Sequence, residues 1–176
     1  MRKYYPSIKH SILKAQLLGK IKDSEVLGLL NGIIDTAPGL PIGNYLSQVF
    51  ANFYLTPFDH WLKEEKRVAH YFRYMDDGVI LAKTKQELHA LMKEINNYLQ
   101  QNLCLEIKPN WRIFPVELGI DFGGYVHFRR YTLLRKSIKQ RFCKMMRSRR
   151  NKQSIGAYGG WLKHCNSKNL IQKIAA

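Results

Sequence analysis

Apolar positions along this chain change period several times, and each change predicts an element. Ile8, Ile12, Leu13, Leu17 and Leu18 recur at helical spacing, behind a Pro6-Ser7 pair that suits a helix start. Residues 26–34 predict a second short helix. Residues 36–43 hold two prolines and two glycines, which exclude regular structure there. From Asn44, a residue type suited to an N-cap, the pattern Leu46, Val49, Phe50, Phe53, Tyr54, Phe58 and Trp61 predicts one long helix to about residue 65.

The period then falls to that of strands. Residues 70–74 and 78–82 are short apolar runs separated by Met75, Asp76 and Asp77, which predicts a β-hairpin carrying carboxylates in its turn. A charged amphipathic helix follows over about 85–101, with Leu88, Leu91, Met92, Ile95 and Leu99 on one face. Strand-like pieces return at 104–107, 111–116, 120–122 and 125–128. The remainder reads as helical, over 135 to about 150 and about 154–165, with a short tail. Composition shifts once, at Arg129: residues 129–152 are rich in Arg and Lys and contain no acidic residue. The expected boundary lies there, giving segments 1–128 and 129–176.

Composition sharpens this picture. An apolar fraction of 45% supports a packed core and excludes a disordered chain. The formal charge of +16 favours a polyanionic partner, bound through phosphate neutralisation and counterion release, over an anionic membrane surface. Cys104, Cys143 and Cys165 are far apart, fitting a reducing cytoplasm better than a disulfide framework or a zinc site. The opening residues do not resemble a signal peptide, and no apolar run approaches the roughly 20 residues that span a bilayer. The expectation is a soluble cytoplasmic protein without a membrane.

The chemistry sits in the hairpin. Two adjacent carboxylates on a tight turn repel each other unless a cation lies between them, and a hard divalent ion such as Mg²⁺ takes oxygen ligands. Taken alone, an Asp-Asp turn is also an ordinary exposed turn, because Asp suits turns.

The surrounding letters resolve the choice. Tyr74-Met75-Asp76-Asp77 resembles the YxDD signature of reverse transcriptases. The opening MRKYYPSI resembles the first palm motif of that family, GLPIGNYLSQVFANFYL its second, and LGIDFGGYVHF its primer-grip hairpin. The basic tail with Tyr158-Gly159-Gly160-Trp161-Leu162 resembles the thumb of bacterial members. Ile42-Gly43 and Ser47-Gln48 replace the usual Gln-Gly and Ser-Pro, a variant similar to the error-prone enzymes of diversity-generating retroelements and related bacterial and phage-defence lineages.

The resemblance implies an α+β fold: a polymerase palm, with an antiparallel sheet and helices on one face, in 1–128, and a helical thumb in 129–176. It implies template-directed nucleotidyl transfer on an RNA template and DNA primer, with two Mg²⁺ ions roughly 4 Å apart in the complete enzyme. Asp76 matches the main metal ligand and Asp77 its companion. Tyr5 matches the aromatic that excludes a ribose 2′-hydroxyl, and Gly43, Ser47, Gln48 and Met75 fall at nucleotide-binding positions. Tyr74, Gly124, Tyr125, Arg135, Lys136 and Lys139 fall at primer or template positions. Gly123 stands where Leu is usual. Lys108 lies near a lysine that assists pyrophosphate departure, though a solvated surface lysine is the expectation here. Trp61, Trp111 and Trp161 are expected in the core or interfaces, and no chemistry is assigned to the histidines. By the spacing of the family's motifs, the third carboxylate falls immediately before Met1 and the fingers precede it. The expectation is therefore a palm–thumb portion that binds one Mg²⁺ weakly or none, is inactive alone, and tends to self-associate through an exposed strand edge. A non-catalytic nucleic-acid-binding module, or a subunit completed by a second chain, are the alternatives.

Overall fold

The computed structural model describes residues 1–148 and 152–175. It is an α+β protein of helices and two small antiparallel sheets, and its chain divides into two compact units, Met1–Ile113 and Phe114–Ala176.

The first unit begins with a single helical turn, α1 (Tyr4–Ser7), then α2 (His10–Leu18) and α3 (Ser24–Ile34). Pro6 sits inside the turn of α1 rather than opening α2, which is tolerated because the first residues of a helix need no N–H partner. Asp23 caps α3, its Oδ1 accepting from the backbone N–H groups of Glu25 and Val26. The long helix expected from residue 44 forms in three pieces: α4 (Tyr45–Tyr54), α5 (Thr56–His60) and a π-helical turn, Trp61–Glu65. Pro57 explains the first break, since it lacks the N–H that a continuous helix would use and fits the first turn of a new one. Asn44 is the N-cap, its Oδ1 accepting from Leu46 N at 2.9 Å.

Strands β1 (His70–Tyr74) and β2 (Asp77–Leu81) then pair antiparallel, and α6 (Lys85–Leu103) follows, capped by the Thr84 hydroxyl. Alternation along β1 turns Tyr71 toward the helices and leaves Phe72 and Tyr74 exposed. The core gathers Leu13, Ile34, Tyr54, Leu62, Leu99 and Leu105, all fully buried. Each fully buried leucine contributes about 1.5–3 kcal/mol. Trp61 and Tyr98 stack at 4.4 Å between centroids, joining the π turn to α6.

Residues 104–107, expected as a strand, run without a regular sheet partner. Cys104 ends α6 in the left-handed region (φ 51), and the segment makes one ladder-like bond, from Arg2 N to Glu106 O. Residues 111–116 are likewise not a strand. Pro115 falls inside them and Pro109 just before them, and the segment runs into a 3₁₀ turn, Val116–Leu118.

The second unit is a three-stranded antiparallel sheet, β3 (Ile120–Phe122), β4 (Tyr125–His127) and β5 (Thr132–Leu134), with α7 (Lys136–Ser148), α8 (Lys152–Lys163) and α9 (Lys168–Ala175). Strand β5, as short as β3 and β4, escapes notice in the sequence because it lies inside the basic run that begins at Arg129. The expected tail is the helix α9. Leu134, Phe142 and Leu162 form the core of this unit. The compositional change at Arg129 therefore falls within a compact unit. Arg149 and Arg150 of the basic run lie outside the described residues.

Candidate carboxylate site

The register of the hairpin fixes what it presents. Tyr74 pairs with Asp77, so Met75 and Asp76 form a two-residue turn and Asp77 opens β2. Met75 lies at φ 54, as the first turn residue of such hairpins must have positive φ. A bulky residue there costs about 1–3 kcal/mol and needs surrounding structure to hold it.

That support comes from Arg73. Its Nη1 donates to Met75 O at 2.9 Å and to Asn52 Oδ1 at 3.1 Å. Its Nε donates to Asp59 Oδ1 at 2.8 Å, and Nη2 bonds the other oxygen of Asp59. The Tyr71 hydroxyl also donates to Asp59 Oδ1, at 2.8 Å. The Asp59 partner keeps the Arg73 guanidinium firmly charged, outweighing the opposing effect of burial. Burial, followed by the adjacent Asp59 carboxylate, holds the Tyr71 phenol well above its ordinary range.

Asp76 is partly buried and Asp77 is exposed. Lys108 Nζ stands 3.6 Å from Asp76 Oδ2 and 4.0 Å from Asp77 Oδ1. The Met1 nitrogen donates to Asp76 O at 3.1 Å and lies 3.7 Å from Asp76 Oδ2. The like-charged pair is thus accompanied by cations. Lys108, expected as a solvated surface lysine, keeps an exposed side chain but places its ammonium on the carboxylates. The left-handed exit from α6 and the bond of Glu106 O to Arg2 N carry residues 104–108 beside the start of the chain and so bring Lys108 to the turn.

Tyr5 joins this group. Its phenol is raised above the ordinary range, mainly by burial and then by Asp76 and Tyr74. Its ring meets Tyr4 edge-on at 5.9 Å. Tyr4 is buried, and its hydroxyl donates to Ala51 O of α4, which pins α1. Gly39 crosses directly over α1: an added Cβ would fall 2.4 Å from Tyr5 O. Leu40 N donates to that same oxygen at 2.9 Å.

The second-motif residues are placed differently. Gly43 (φ 98) and Gln48 are exposed at the start of α4, while Ser47 is buried and its hydroxyl has no partner among the described residues. In the second unit, Gly124 (φ 88) is buried under the Trp161 ring. Tyr125 donates to Trp161 O at 3.0 Å. Arg135 pairs with Asp121 at 2.6 Å, so its charge is partly committed within that unit. Lys136 and Lys139 are exposed on α7, where Lys139, Gln140, Cys143, Lys144 and Arg147 line an open groove of about 390 Å³.

Asp59, Arg73, Asn52 and Tyr71 escape sequence reasoning. Alternation along β1 put Tyr71 and Arg73 on one face, but nothing in the letters links that face to Asp59. As a donor set, two carboxylates on one turn suit a single hard divalent cation. Among the described residues, no group of three or more His, Cys, Asp or Glu side chains gathers to hold a metal. No helix among the described residues is long and apolar enough to cross a membrane.

The helix-backed hairpin of this α+β protein thus projects paired carboxylates beside an aromatic and a lysine. Residues 5–111 match the reverse transcriptase (RNA-dependent DNA polymerase) family, and the chain belongs to it. That match falls wholly within the first unit. The family acts on nucleic acids and generally uses Mg²⁺. A search of curated proteins finds no match.

Proposed function

We propose that this chain is the palm and thumb portion of an RNA-directed DNA polymerase of the bacterial, diversity-generating-retroelement style. The observation that carries the reading is the coincidence of the family match with the turn that projects Asp76 beside Tyr5. Asp76 would be the principal Mg²⁺ ligand and Asp77 its companion, and the two ions of the family's mechanism would supply activation of a primer hydroxyl and charge neutralisation at the triphosphate. Tyr5 screens the sugar, and Tyr74 and Met75 border the nucleotide. Gly43 lets backbone approach it, and the exposed Ile42 and Gln48 are the second-motif side chains available to the base pair. The enclosed Ser47 acts by packing. Gly124 and Tyr125 shape the primer grip, and Arg135, Lys136 and Lys139 follow template–primer phosphates in a reducing cytoplasm.

The described residues supply two carboxylates where a two-ion mechanism needs a third. Among the described residues no third carboxylate joins Asp76 and Asp77. Without it the chain binds nucleic acid and does not extend primers. That same shortfall favours a second reading, a nucleic-acid-binding module without chemistry.

The test pairs two measurements on the 176-residue chain. Fluorescence anisotropy with an RNA–DNA hybrid should show binding that weakens steeply with salt and falls in Lys136→Glu/Lys139→Glu. Primer extension with Mg²⁺ and all four dNTPs should give no product. Salt-insensitive binding, or none, would overturn both readings, and template-directed extension would refute inactivity. Extension gained on adding a carboxylate-bearing polypeptide in trans would choose the polymerase over the binding module.

A further inference from the structure

We propose that Arg73 is a positioning residue that sets the orientation of Asp76. The inference rests on the reading of Asp76 as a metal ligand. Arg73 is the strand residue opposite Gly78, and its side chain returns toward the turn rather than running out to solvent. One planar guanidinium touches three elements at once: Asn52 on α4, Asp59 on α5, and the carbonyl of Met75 in the turn itself.

The third contact separates positioning from anchoring. An ion pair to Asp59 alone would fasten the base of β1 to the helices and leave the turn free to swing. The bond to Met75 O reaches past the last strand residue. Met75 O, Asp76 N and Asp76 Cα share one peptide plane, so fixing the direction of that carbonyl fixes where the Asp76 side chain begins. The plane belongs to a residue in a sparsely populated conformation (φ 54), which holds only while its surroundings determine it. Arginine suits this task because its five donors form a rigid fork, whereas a lysine ammonium is a compact point charge that cannot span Asp59 and Met75 together.

The path is continuous. Asp59 is gripped from two sides, by Nε and Nη2 of Arg73 and by the Tyr71 hydroxyl. The core under α5, with Phe58 buried and packed at 6.2 Å from the Tyr71 ring, thereby dictates the placement of a carboxylate at the far tip of the hairpin.

The experiment uses the isotopically labelled 176-residue chain and the variants Arg73→Lys, Asp59→Asn and Tyr71→Phe. Amide hydrogen exchange is read at residues 75–77 and, for comparison, at Ile95 and Leu99 of α6. Mn²⁺ is the metal probe, read by broadening of the Asp76 and Asp77 signals. Arg73→Lys and Asp59→Asn should speed exchange at 75–77 by about tenfold, as expected for losing a charge-assisted bond. Exchange in α6 should stay nearly constant, and more Mn²⁺ should be needed to broaden the turn. Tyr71→Phe, which spares the Arg73–Met75 bond, should leave the turn unchanged. Equal acceleration of turn and α6, or an unaltered turn in both variants, would reduce Arg73 to a structural anchor and overturn the proposal. If Arg73→Lys fails to fold, Asp59→Asn decides, since asparagine keeps the shape and one acceptor. Absence of Mn²⁺ broadening in the wild type would sink the metal reading, and the exchange comparison would still decide what Arg73 does.

Discussion

Replacing Lys108 by methionine removes one charge from the carboxylate site and keeps most of the side-chain volume. At the dielectric of water, unit charges 3.6 and 4.0 Å apart attract by about 1 kcal/mol each. The ammonium thus stabilises the carboxylate pair by about 2 kcal/mol before screening. Salt at 0.15 M, with a Debye length of about 8 Å, reduces this to about 1.3 kcal/mol. A divalent ion entering the pair competes with that ammonium, so Lys108→Met should bind Mn²⁺ about three- to tenfold more tightly. The assay is titration followed by electron paramagnetic resonance of free Mn²⁺, at low and high NaCl, with Asp76→Asn as the control. The gap between wild type and Lys108→Met should narrow as salt rises. Equal affinities at low salt, or a gap indifferent to salt, would refute the reasoning that Lys108 acts there as a competing cation. No saturable binding by either protein would refute the metal reading itself.

Two further outcomes test the second unit and the rim of the first. Gly124→Ala puts a Cβ within 2.3 Å of Trp161 Cζ3 at a residue of φ 88, so overpacking should lower stability by about 1–3 kcal/mol; an unchanged urea midpoint, followed by tryptophan fluorescence, would show that Trp161 does not pack there. Asp35 is held below its ordinary pKa of 3.8, first by a hydrogen bond from Lys14. Because the folded state depresses this pKa, the stabilisation is fully present above 3.8 and lost as pH falls through the lower, folded value. Asp35→Asn should therefore lower the urea midpoint at pH 7 and bring little change in strong acid, and an equal loss at both pH values would contradict the assignment.

What could be read from the letters was what depends on neighbours along the chain. Helix α6 shows a sustained helical period behind Thr84, and β1 and β2 show an abrupt period of two around Met75 and Asp76. The resemblance around Tyr74–Asp77 pointed to the family that the match over residues 5–111 establishes. What escaped depends on distance in sequence or on single residues. Pro57 was invisible in a hydrophobic period that continues across it, and β5 is hidden inside the basic run after Arg129. Apolar letters at 111–116 imitate a strand, but Pro115 interrupts them and they pair with no strand among the described residues. At the site, the pairings of Asp59 with Arg73 and of Lys108 with Asp76 join different elements, and no local pattern records them.

The strap of Gly39 and Leu40 over α1 has a consequence for how this chain can change length. Leu40 is tied to Tyr5 by its backbone, and His10 Nε2 holds Gly39 O at 2.6 Å. Only Pro41, Ile42 and Gly43 then lead to the Asn44 cap, a reach of about 14 Å when extended. Insertions at 36–38 fall upstream of the knot and leave both ends in place. An insertion between Leu40 and Asn44 lets α4 begin at a new distance from Tyr5, and a deletion drags its first turn onto α1. Sequences that preserve this architecture should therefore vary in length before Gly39 and keep a constant count after it.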